Sequence, residues 1–263
     1  MSEMPNAKSS PEEIPRVHKR LDKLKPWQRA LFVRFYAGRP DWADGIHRAA
    51  AFFLEHGRAG RILDLGCGVE NRITNYLARA HRGIVGVDLD PRAAENPAIA
   101  EFHLFDGREL PFADGSFDTV FSNMVLEHVD DVDLHFREVF RVLRPGGRYL
   151  LNTPNVYHYA MLVSRFSPHW FHQAILGFVQ AKPERDPYPT YYHCNTAREI
   201  RALARRTGFG VIAVLTTESE PSYLWFNPLL FVLGVAYERL VNATDQLAFL
   251  RSALHVGLEK PRH

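Results

Sequence analysis

The run Arg61-Ile-Leu-Asp-Leu-Gly-Cys-Gly68 constrains the fold of this chain more than any other segment. Its apolar residues predict a buried strand, and its glycines predict a tight loop, because glycine tolerates positive φ angles and leaves room for a ligand. Residues 71–80 have a helical pattern, and a second apolar run, 83–88, ends in Asp88. This order, with an interval of about 20 residues, predicts a strand–loop–helix–strand unit that binds a nucleotide-like ligand through its ribose hydroxyls.

The residues around the loop distinguish two candidate ligands, a dinucleotide and S-adenosylmethionine (SAM). A dinucleotide loop has a third glycine, and the helix that follows it helps to hold a pyrophosphate. Here position 71 is Asn, and the carboxylates of Asp64 and Glu70 flank the loop. Two carboxylates would repel a pyrophosphate, whereas they suit a sulfonium with an amino-acid tail. A nicotinamide-dependent oxidoreductase is therefore the least favoured of the functions considered.

Several motifs together resemble those of the class I SAM-dependent methyltransferases, and within them the type 11 group of small-molecule enzymes. The matching stretches are 63–68, 87–90, 106–107, 110–120, 125–129 and 138–147. The resemblance covers roughly residues 60–155 and is weaker over 193–209. It implies an α/β fold with a Rossmann-like, doubly wound sheet of seven strands, mostly parallel, in which the last strand is antiparallel.

The resemblance also implies which residues bind SAM. Asp64 and the Gly66 backbone would face the methionine part, Asp88 the ribose, and Asp106 with Gly107 the adenine. The complete set of implied cofactor-binding residues is Asp64, Leu65, Gly66, Cys67, Gly68, Asp88, Leu89, Asp106, Gly107 and Asn123. Asn123 would line the methyl-transfer cleft. Glu70 departs from the family, because many members have a third glycine at that position.

Methyl transfer to a hydroxyl or an amine also requires a base that removes a proton from the acceptor. His128 is the first candidate, because it follows the predicted fourth strand, near the place where the family binds its acceptor. His193 and Tyr192 are the second choices. A packing or capping role at the start of a helix explains His128 equally well.

The pair Glu127-His128 is similar to a metal-binding pattern of ubiquinone-type O-methyltransferases. That pattern has another glutamate where this chain has Met124, and Mg²⁺ requires oxygen ligands. We therefore predict catalysis without a metal. The acids of 130–133, with Asp114 and Asp118, are interpreted as turn and helix-capping residues, because an amphipathic helix pattern begins at that point.

Composition agrees with a single-domain enzyme. The 263 residues are 46% hydrophobic, which is enough for one core with some additional elements. A net charge of +2 and the lack of a basic tract interleaved with aromatics argue against a nucleic-acid partner. The two cysteines, Cys67 and Cys194, have the spacing of neither a disulfide framework nor a metal site.

The predicted organisation is a disordered lead-in, 1–15, followed by one domain, 16–263. Within the domain we expect two N-terminal helices in 16–59, the SAM-binding core at 60–155, and an aromatic insertion at 156–195 that builds the acceptor pocket. The C-terminal part, 196–263, begins with a helix capped by Thr196 and contains the last two strands. The N-terminus lacks the apolar core of a signal peptide, so we expect a cytoplasmic protein.

The apolar segment 223–237 is the second unusual feature. It is shorter than the roughly 20 residues of a spanning helix, and Asn227-Pro228 interrupts it. We favour a buried helix or a lid over the acceptor pocket. The alternative is an interfacial segment that makes peripheral contact with the inner face of the membrane.

These observations predict SAM-dependent methyl transfer to a small-molecule, lipid or lipid-linked glycan acceptor, with oxygen as the methylated atom. The alternative from another class is a catalytically inactive methyltransferase-like protein that binds SAM or a partner.

Overall fold

The computed structural model describes residues 24–166 and 188–262, which contain all the strands predicted above. The lead-in 1–15 lies outside the described residues. So does the central part of the predicted insertion 156–195, including His169 and His172. Only the two ends of that insertion therefore enter the description of the site.

Seven strands form one sheet in the order β3-β2-β1-β4-β5-β7-β6. The strands are β1 (Ile62–Leu65), β2 (Val85–Asp88), β3 (Glu101–Leu104), β4 (Phe117–Asn123), β5 (Leu143–Pro154), β6 (Gly210–Thr217) and β7 (Ala253–Glu259). Strands β1 to β5 are parallel, and β7 is antiparallel to both of its neighbours. The predicted fold, a doubly wound α/β sheet with an antiparallel last strand, is confirmed.

The described residues form seven α-helices around this sheet. They are α1 (Pro26–Phe32), α2 (Gly45–His56), α3 (Arg72–Ala80), α4 (Val132–Val142), α5 (Tyr159–Phe166), α6 (Ala197–Thr207) and α7 (Pro228–Asn242). A π-helical turn, Val33–Ala37, extends α1. Helices α1 and α2 are thus the two described helices before β1, and Arg39 and Pro40 lie between them.

Local sequence signals explain where several helices begin. The side chains of Asn71, Asp131 and Thr196 each accept a hydrogen bond from a backbone amide in the first turn of α3, α4 and α6. Such caps satisfy amide groups that have no partner within the helix. Asp131 is thus a capping residue, as the sequence predicted. Glu70 lies before α3 rather than inside it, because Asn71 is the cap.

Apolar residues cover both faces of the sheet. Helices α4 and α6 pack on one face through residues such as Phe136 and Leu203, and α2 and α3 pack on the other through Phe53 and Leu77. The order of the strands reverses between β1 and β4, since the chain first adds β2 and β3 on one side of β1 and then β4 on the other. In sheets of this kind the ligand binds at the carboxyl ends of the strands at this reversal.

The segment 223–237 folds into a short 3-10 turn, Ser222–Leu224, followed by most of α7. One face of α7 is buried, and Phe231 packs with Tyr36 and Trp225. Leu229 and Leu233 on the opposite face are exposed, by 68% and 57%. Among the described helices, none is long and apolar enough to cross a membrane.

Candidate functional site

A cleft of about 540 Å³ opens at the carboxyl ends of β1, β2 and β4. Seven of the ten predicted cofactor-binding residues line it: Leu65, Gly66, Gly68, Asp88, Leu89, Asp106 and Gly107. His128 lies on the wall of the same cleft. A larger and shallower cavity of about 720 Å³ lies between α2 and β6 and contains none of the predicted residues. The cleft is the candidate site, because it lies where the strand order reverses and the other cavity does not.

The loop after β1 follows the predicted glycine geometry. Gly66 and Gly68 have φ angles of 79° and 58°, values that favour glycine. The Gly66 amide donates to the Val87 carbonyl at 2.9 Å, which ties the loop to β2. A Cβ at position 66 would overlap the side chain of Val125, whereas one at position 68 would meet nothing within 4 Å. Gly66 is therefore required both by its φ angle and by the lack of space for a Cβ, whereas Gly68 is required by its φ angle alone.

Asp88 connects the end of β2 to this loop. Its Oδ2 accepts a hydrogen bond from the Gly68 amide at 2.8 Å, and its Oδ1 accepts one from the Asp90 amide at 2.9 Å. The residue is 9% exposed and lines the cleft. A carboxylate has about four acceptor positions, so both oxygens retain capacity for ribose hydroxyls.

Asp64 lies behind the cleft wall rather than on it. The Thr74 hydroxyl donates to its Oδ2 at 2.5 Å, and its Oδ1 is buried without a hydrogen-bond partner among the described residues. Burial raises the pKa of Asp64 to about 7; the hydrogen bond from Thr74 lowers it and the charge of Asp88 raises it. A nearby cation would offset that burial, so this carboxylate suits the positively charged end of SAM.

The loop after β3 also lines the cleft. Asp106 accepts hydrogen bonds from the amides of Arg108 and Glu109, at 2.8 and 3.2 Å, and these bonds hold the pKa of its carboxyl below the usual range. Gly107 beside it has a φ of 84°. An ionised, exposed carboxylate at this place can accept a hydrogen bond from an amino group such as that of adenine.

Cys67 and Asn123 do not line this cleft. The thiol of Cys67 lies beneath the loop against Gly86, where a Cβ would overlap it. Asn123 lines a neighbouring cavity instead, and its Oδ1 accepts a hydrogen bond from the side-chain nitrogen Nδ2 of Asn152 at 2.7 Å. A motif identifies the loop and the strand end, but the direction of each side chain depends on local packing.

His128 lies in a short 3-10 turn, Leu126–His128, just after β4. Its Nδ1 is 2.9 Å from the Pro189 carbonyl oxygen. A carbonyl only accepts hydrogen bonds, so Nδ1 carries the proton, and Nε2 is the basic atom of the neutral ring. This geometry suits a general base, and it also accounts for the packing role that the sequence left open.

The two second-choice residues do not line the cleft. His193 is half exposed, and its Nδ1 donates to the Asp130 carbonyl at 3.0 Å. Tyr192 has a positive φ of 54° and its amide donates to the Glu127 carbonyl at 3.2 Å. The neighbouring Tyr191 lines the cleft in their place.

Two functional features were missed by the sequence analysis. The buried Asn96 donates to the carbonyls of Cys67 and Gly68, at 3.1 and 2.9 Å, and so holds the glycine loop from behind. His135 lines the cleft, and its Nε2 is 2.9 Å from the Tyr149 hydroxyl, which is 2.9 Å from the Ser122 hydroxyl. Burial lowers the pKa of His135 to about 4, so the ring is neutral at physiological pH. Neither residue belongs to a pattern that is visible along the chain.

Residues 63–151 match a family model described as a methyltransferase domain. The chain is 39% identical over 108 residues to a probable S-adenosylmethionine-dependent methyltransferase of Mycolicibacterium smegmatis, which is 39% of this chain and 41% of that protein. The family model covers the glycine loop, Asp88 and His128, which line the cleft. The segment 63–151 is therefore a methyltransferase domain of the class I SAM-dependent kind, in the type 11 group.

Two further relatives are named for methyl transfer to different kinds of atom, oxygen and carbon. The malonyl-[acyl-carrier protein] O-methyltransferase of Erwinia pyrifoliae is 37% identical over 107 residues, 38% of this chain and 40% of that protein. The sterol 24-C-methyltransferase of Schizosaccharomyces pombe is 26% identical over 220 residues, 77% of this chain and 55% of that protein. The chain thus spans about two fifths of the length of the first two relatives.

A solved structure, the YcgJ protein of Bacillus subtilis, has the same fold. It is 19% identical, has a TM-score of 0.52, and matches 82% of this chain and 100% of its own. Family membership confirms the predicted cofactor, SAM. The described residues fit it, since the glycine loop and the carboxylates of Asp88 and Asp106 line one cleft.

No group of three or more histidine, cysteine or acidic side chains is arranged to hold a metal ion in the part of the chain that the structure describes. Both cysteines are buried thiols. Metal-independent catalysis therefore stays a prediction, to be tested with a chelator.

Proposed function

We propose that this chain transfers a methyl group from SAM to an oxygen atom of a small-molecule, lipid or lipid-linked glycan acceptor. The observation that carries the proposal is the placement of the glycine loop, Asp88 and His128 around one cleft. The loop and the acid suit the cofactor. His128 is suited to accept the proton that an attacking hydroxyl must lose.

When bound, SAM supplies an electrophilic methyl carbon on a sulfonium, and this is the difficult part of the chemistry. The chain has to bind and orient the two reactants and to accept one proton. His128 Nε2 takes the proton of the acceptor hydroxyl. The resulting imidazolium keeps its Nδ1 hydrogen bond to the Pro189 carbonyl, which stabilises the positive charge.

The names of the relatives support methyl transfer, but they describe two kinds of acceptor atom, oxygen and carbon. One relative is named for transfer to oxygen and another for transfer to a sterol carbon. We favour oxygen, because His128 places a basic nitrogen on the wall of the cleft. An inactive SAM-binding protein is the alternative from another class.

The test is transfer of labelled methyl from SAM into a fractionated extract of hydroxylated lipids and glycans, with mass spectrometry of the product. We expect a mass gain of one methyl group in a product that alkaline hydrolysis or demethylation identifies as an ether or ester. Calorimetry with S-adenosylhomocysteine (SAH) is done on the same sample. Binding of SAH without any transfer would favour the inactive protein, and product methylated on carbon would overturn the choice of oxygen.

We also propose that α7 contacts a phospholipid surface, which would bring the cleft to a lipid acceptor. The exposed face of α7 carries Leu229, Leu233 and Leu240, which are 68%, 57% and 60% exposed. Helix α1 packs beside it, and three basic residues there are exposed: Lys25 just before α1, Arg29 within it, and Arg34 in the π-helical turn that follows it. Apolar side chains next to cationic ones are the combination that binds anionic lipid.

No residue of 223–237 lines the SAM cleft or the cavity next to it, so the described structure does not support a lid. Co-sedimentation with vesicles of mixed zwitterionic and anionic phospholipid tests the membrane proposal. Leu233→Glu should abolish sedimentation. Leu104→Glu is the matched control, because Leu104 on β3 is 58% exposed and the charge change is identical. Equal sedimentation of the two variants would overturn the proposal.

A further inference from the structure

A second cavity, of about 390 Å³, adjoins the SAM cleft. Met124 lines both spaces, so a ligand in one lies next to a ligand in the other. The walls of this second cavity are the starts of α2 and α3, the carboxyl ends of β4 and β5, and the start of β7. We call it the side cavity.

A row of polar side chains crosses the floor of the side cavity. Asn123 of β4 is in register with Asn152 of β5, and Asn152 is in register with His255 of β7. Side chains of directly paired residues lie on the same face of a sheet. The side-chain Nδ2 of Asn152 donates to Asn123 Oδ1 at 2.7 Å, and this bond fixes the orientation of both side-chain amides.

Two atoms of this row are buried and have no hydrogen-bond partner in the described part of the chain: Asn152 Oδ1 and His255 Nδ1. Asn152 is 4% exposed and His255 is 0% exposed. Folded proteins pair the great majority of their buried polar side-chain atoms, so two such atoms on one cavity wall point to a ligand.

The chemistry of the wall indicates what that ligand is. His255 Nε2 is 2.9 Å from the Thr217 hydroxyl, and burial and the charge of Arg48 lower the pKa of His255 to about 3, so the ring is uncharged. The charged residues that line the cavity are Asp44, Glu220 and Arg72, two acids and one base. The carbonyl oxygen of Asn152 and this excess of carboxylates disfavour an anion.

We infer that Asn152 and His255 bind a neutral hydroxyl group of the acceptor. A hydroxyl has one hydrogen, which it donates to Asn152 Oδ1, and its oxygen accepts from His255 Nδ1–H when His255 Nε2 accepts the hydrogen bond from the Thr217 hydroxyl. The inference rests on the proposed function, because it identifies the acceptor side of the same site. It assigns to the acceptor a class, a neutral alcohol or phenol, and it excludes carboxylates and phosphates.

The test uses phenol and benzoate, which have the same ring and differ in charge. Histidine ring signals of the protein saturated with SAH are followed by NMR, and His255→Phe identifies the signal of that residue. Phenol should shift the His255 signal to saturation and benzoate should not. No shift with phenol, or an equal shift with benzoate, overturns the inference.

Asn152→Leu provides a second measurement. Loss of one hydrogen bond should weaken phenol binding about five- to tenfold, while the affinity for SAH stays the same. The wild-type titration needs no variant, so it decides the question even if a variant fails to fold. Saturable SAH binding without a phenol response sinks this inference and leaves the proposed function standing, whereas absence of SAH binding contradicts the proposed function itself.

Discussion

The carboxylate of Asp88 accepts the amide hydrogen of Gly68 at 2.8 Å, so the acid that ends β2 also fixes the loop that ends β1. The residue expected to bind the ribose is therefore part of the loop structure. Removal of the whole carboxylate would disturb both roles together. A substitution that keeps one oxygen separates them.

Asp88→Asn should weaken SAH binding about 10- to 100-fold, because it replaces charge-assisted hydrogen bonds worth roughly 1.5–3 kcal/mol. Asparagine keeps one carbonyl oxygen that can accept from the Gly68 amide. Asp90→Asn is the control, since Asp90 caps the next turn and does not line the cleft. Calorimetric titration with SAH should give wild-type affinity for Asp90→Asn, and wild-type affinity for both variants would refute the ribose role of Asp88.

Gly66→Ala should destabilise the ligand-free protein more than Gly68→Ala does. Both positions have positive φ angles, which cost an alanine about 1–2 kcal/mol. Only the new Cβ at 66 also overlaps Val125. Urea unfolding gives the two free energies of unfolding, and adding Val125→Ala should recover part of the loss at 66 and none at 68. Equal losses would show that the overlap is relieved by movement of the loop.

Asp64→Asn should change the pH dependence of stability. The pKa of Asp64 is about 7 in the fold, above its usual value of 3.8, so between these values the folded state holds a proton that the unfolded state has released. Its contribution to stability is therefore full below about pH 4 and is lost as pH rises through about 7. Relative to wild type, the variant should become steadily more stable from pH 4 to 7, with no further change above. A constant difference across this range would contradict the raised pKa.

His128→Asn should lower turnover about 10²-fold or more if His128 is the base. Asparagine can still donate to the Pro189 carbonyl, but it has no basic nitrogen, so SAH affinity and the melting temperature should remain close to wild type. His193→Asn is the matched control, because His193 also donates to a carbonyl and does not line the cleft. Steady-state methyl transfer measures both variants. Loss of folding in His128→Asn would instead support a packing role.

The family resemblance predicted the seven-stranded sheet and the set of cofactor-binding residues, and short-range patterns by themselves predicted the first strand–loop–helix–strand unit. The loop at 66–68 and Asp88 lie on adjacent parallel strands, and a strand–helix–strand unit brings such ends together without further information. Residues with this role could therefore be named from the chain alone. Cys67 and Asn123 belong to the same motifs, but their side chains turn away from the cleft.

The acceptor side could not be predicted in the same way. Asn152 and His255 are 103 positions apart in the chain and become neighbours only through the pairing of β5 with β7. Likewise His135 lines the cleft through the packing of α4, and Asn96 reaches the loop from a turn with no recognisable pattern. These contacts depend on strand register and helix packing, which a single sequence does not specify.

The reversed direction of β7 places the first residues of the last strand, Ala253 and His255, at the edge where the parallel strands end. Residues of the N-terminal half, up to His135, surround the cofactor cleft together with a short stretch near Pro189, and the final strand reaches only the side cavity. If the side cavity binds the acceptor as proposed, substitutions in the last strand should alter which acceptor is chosen without changing cofactor binding, so this end of the chain is the place to redesign specificity.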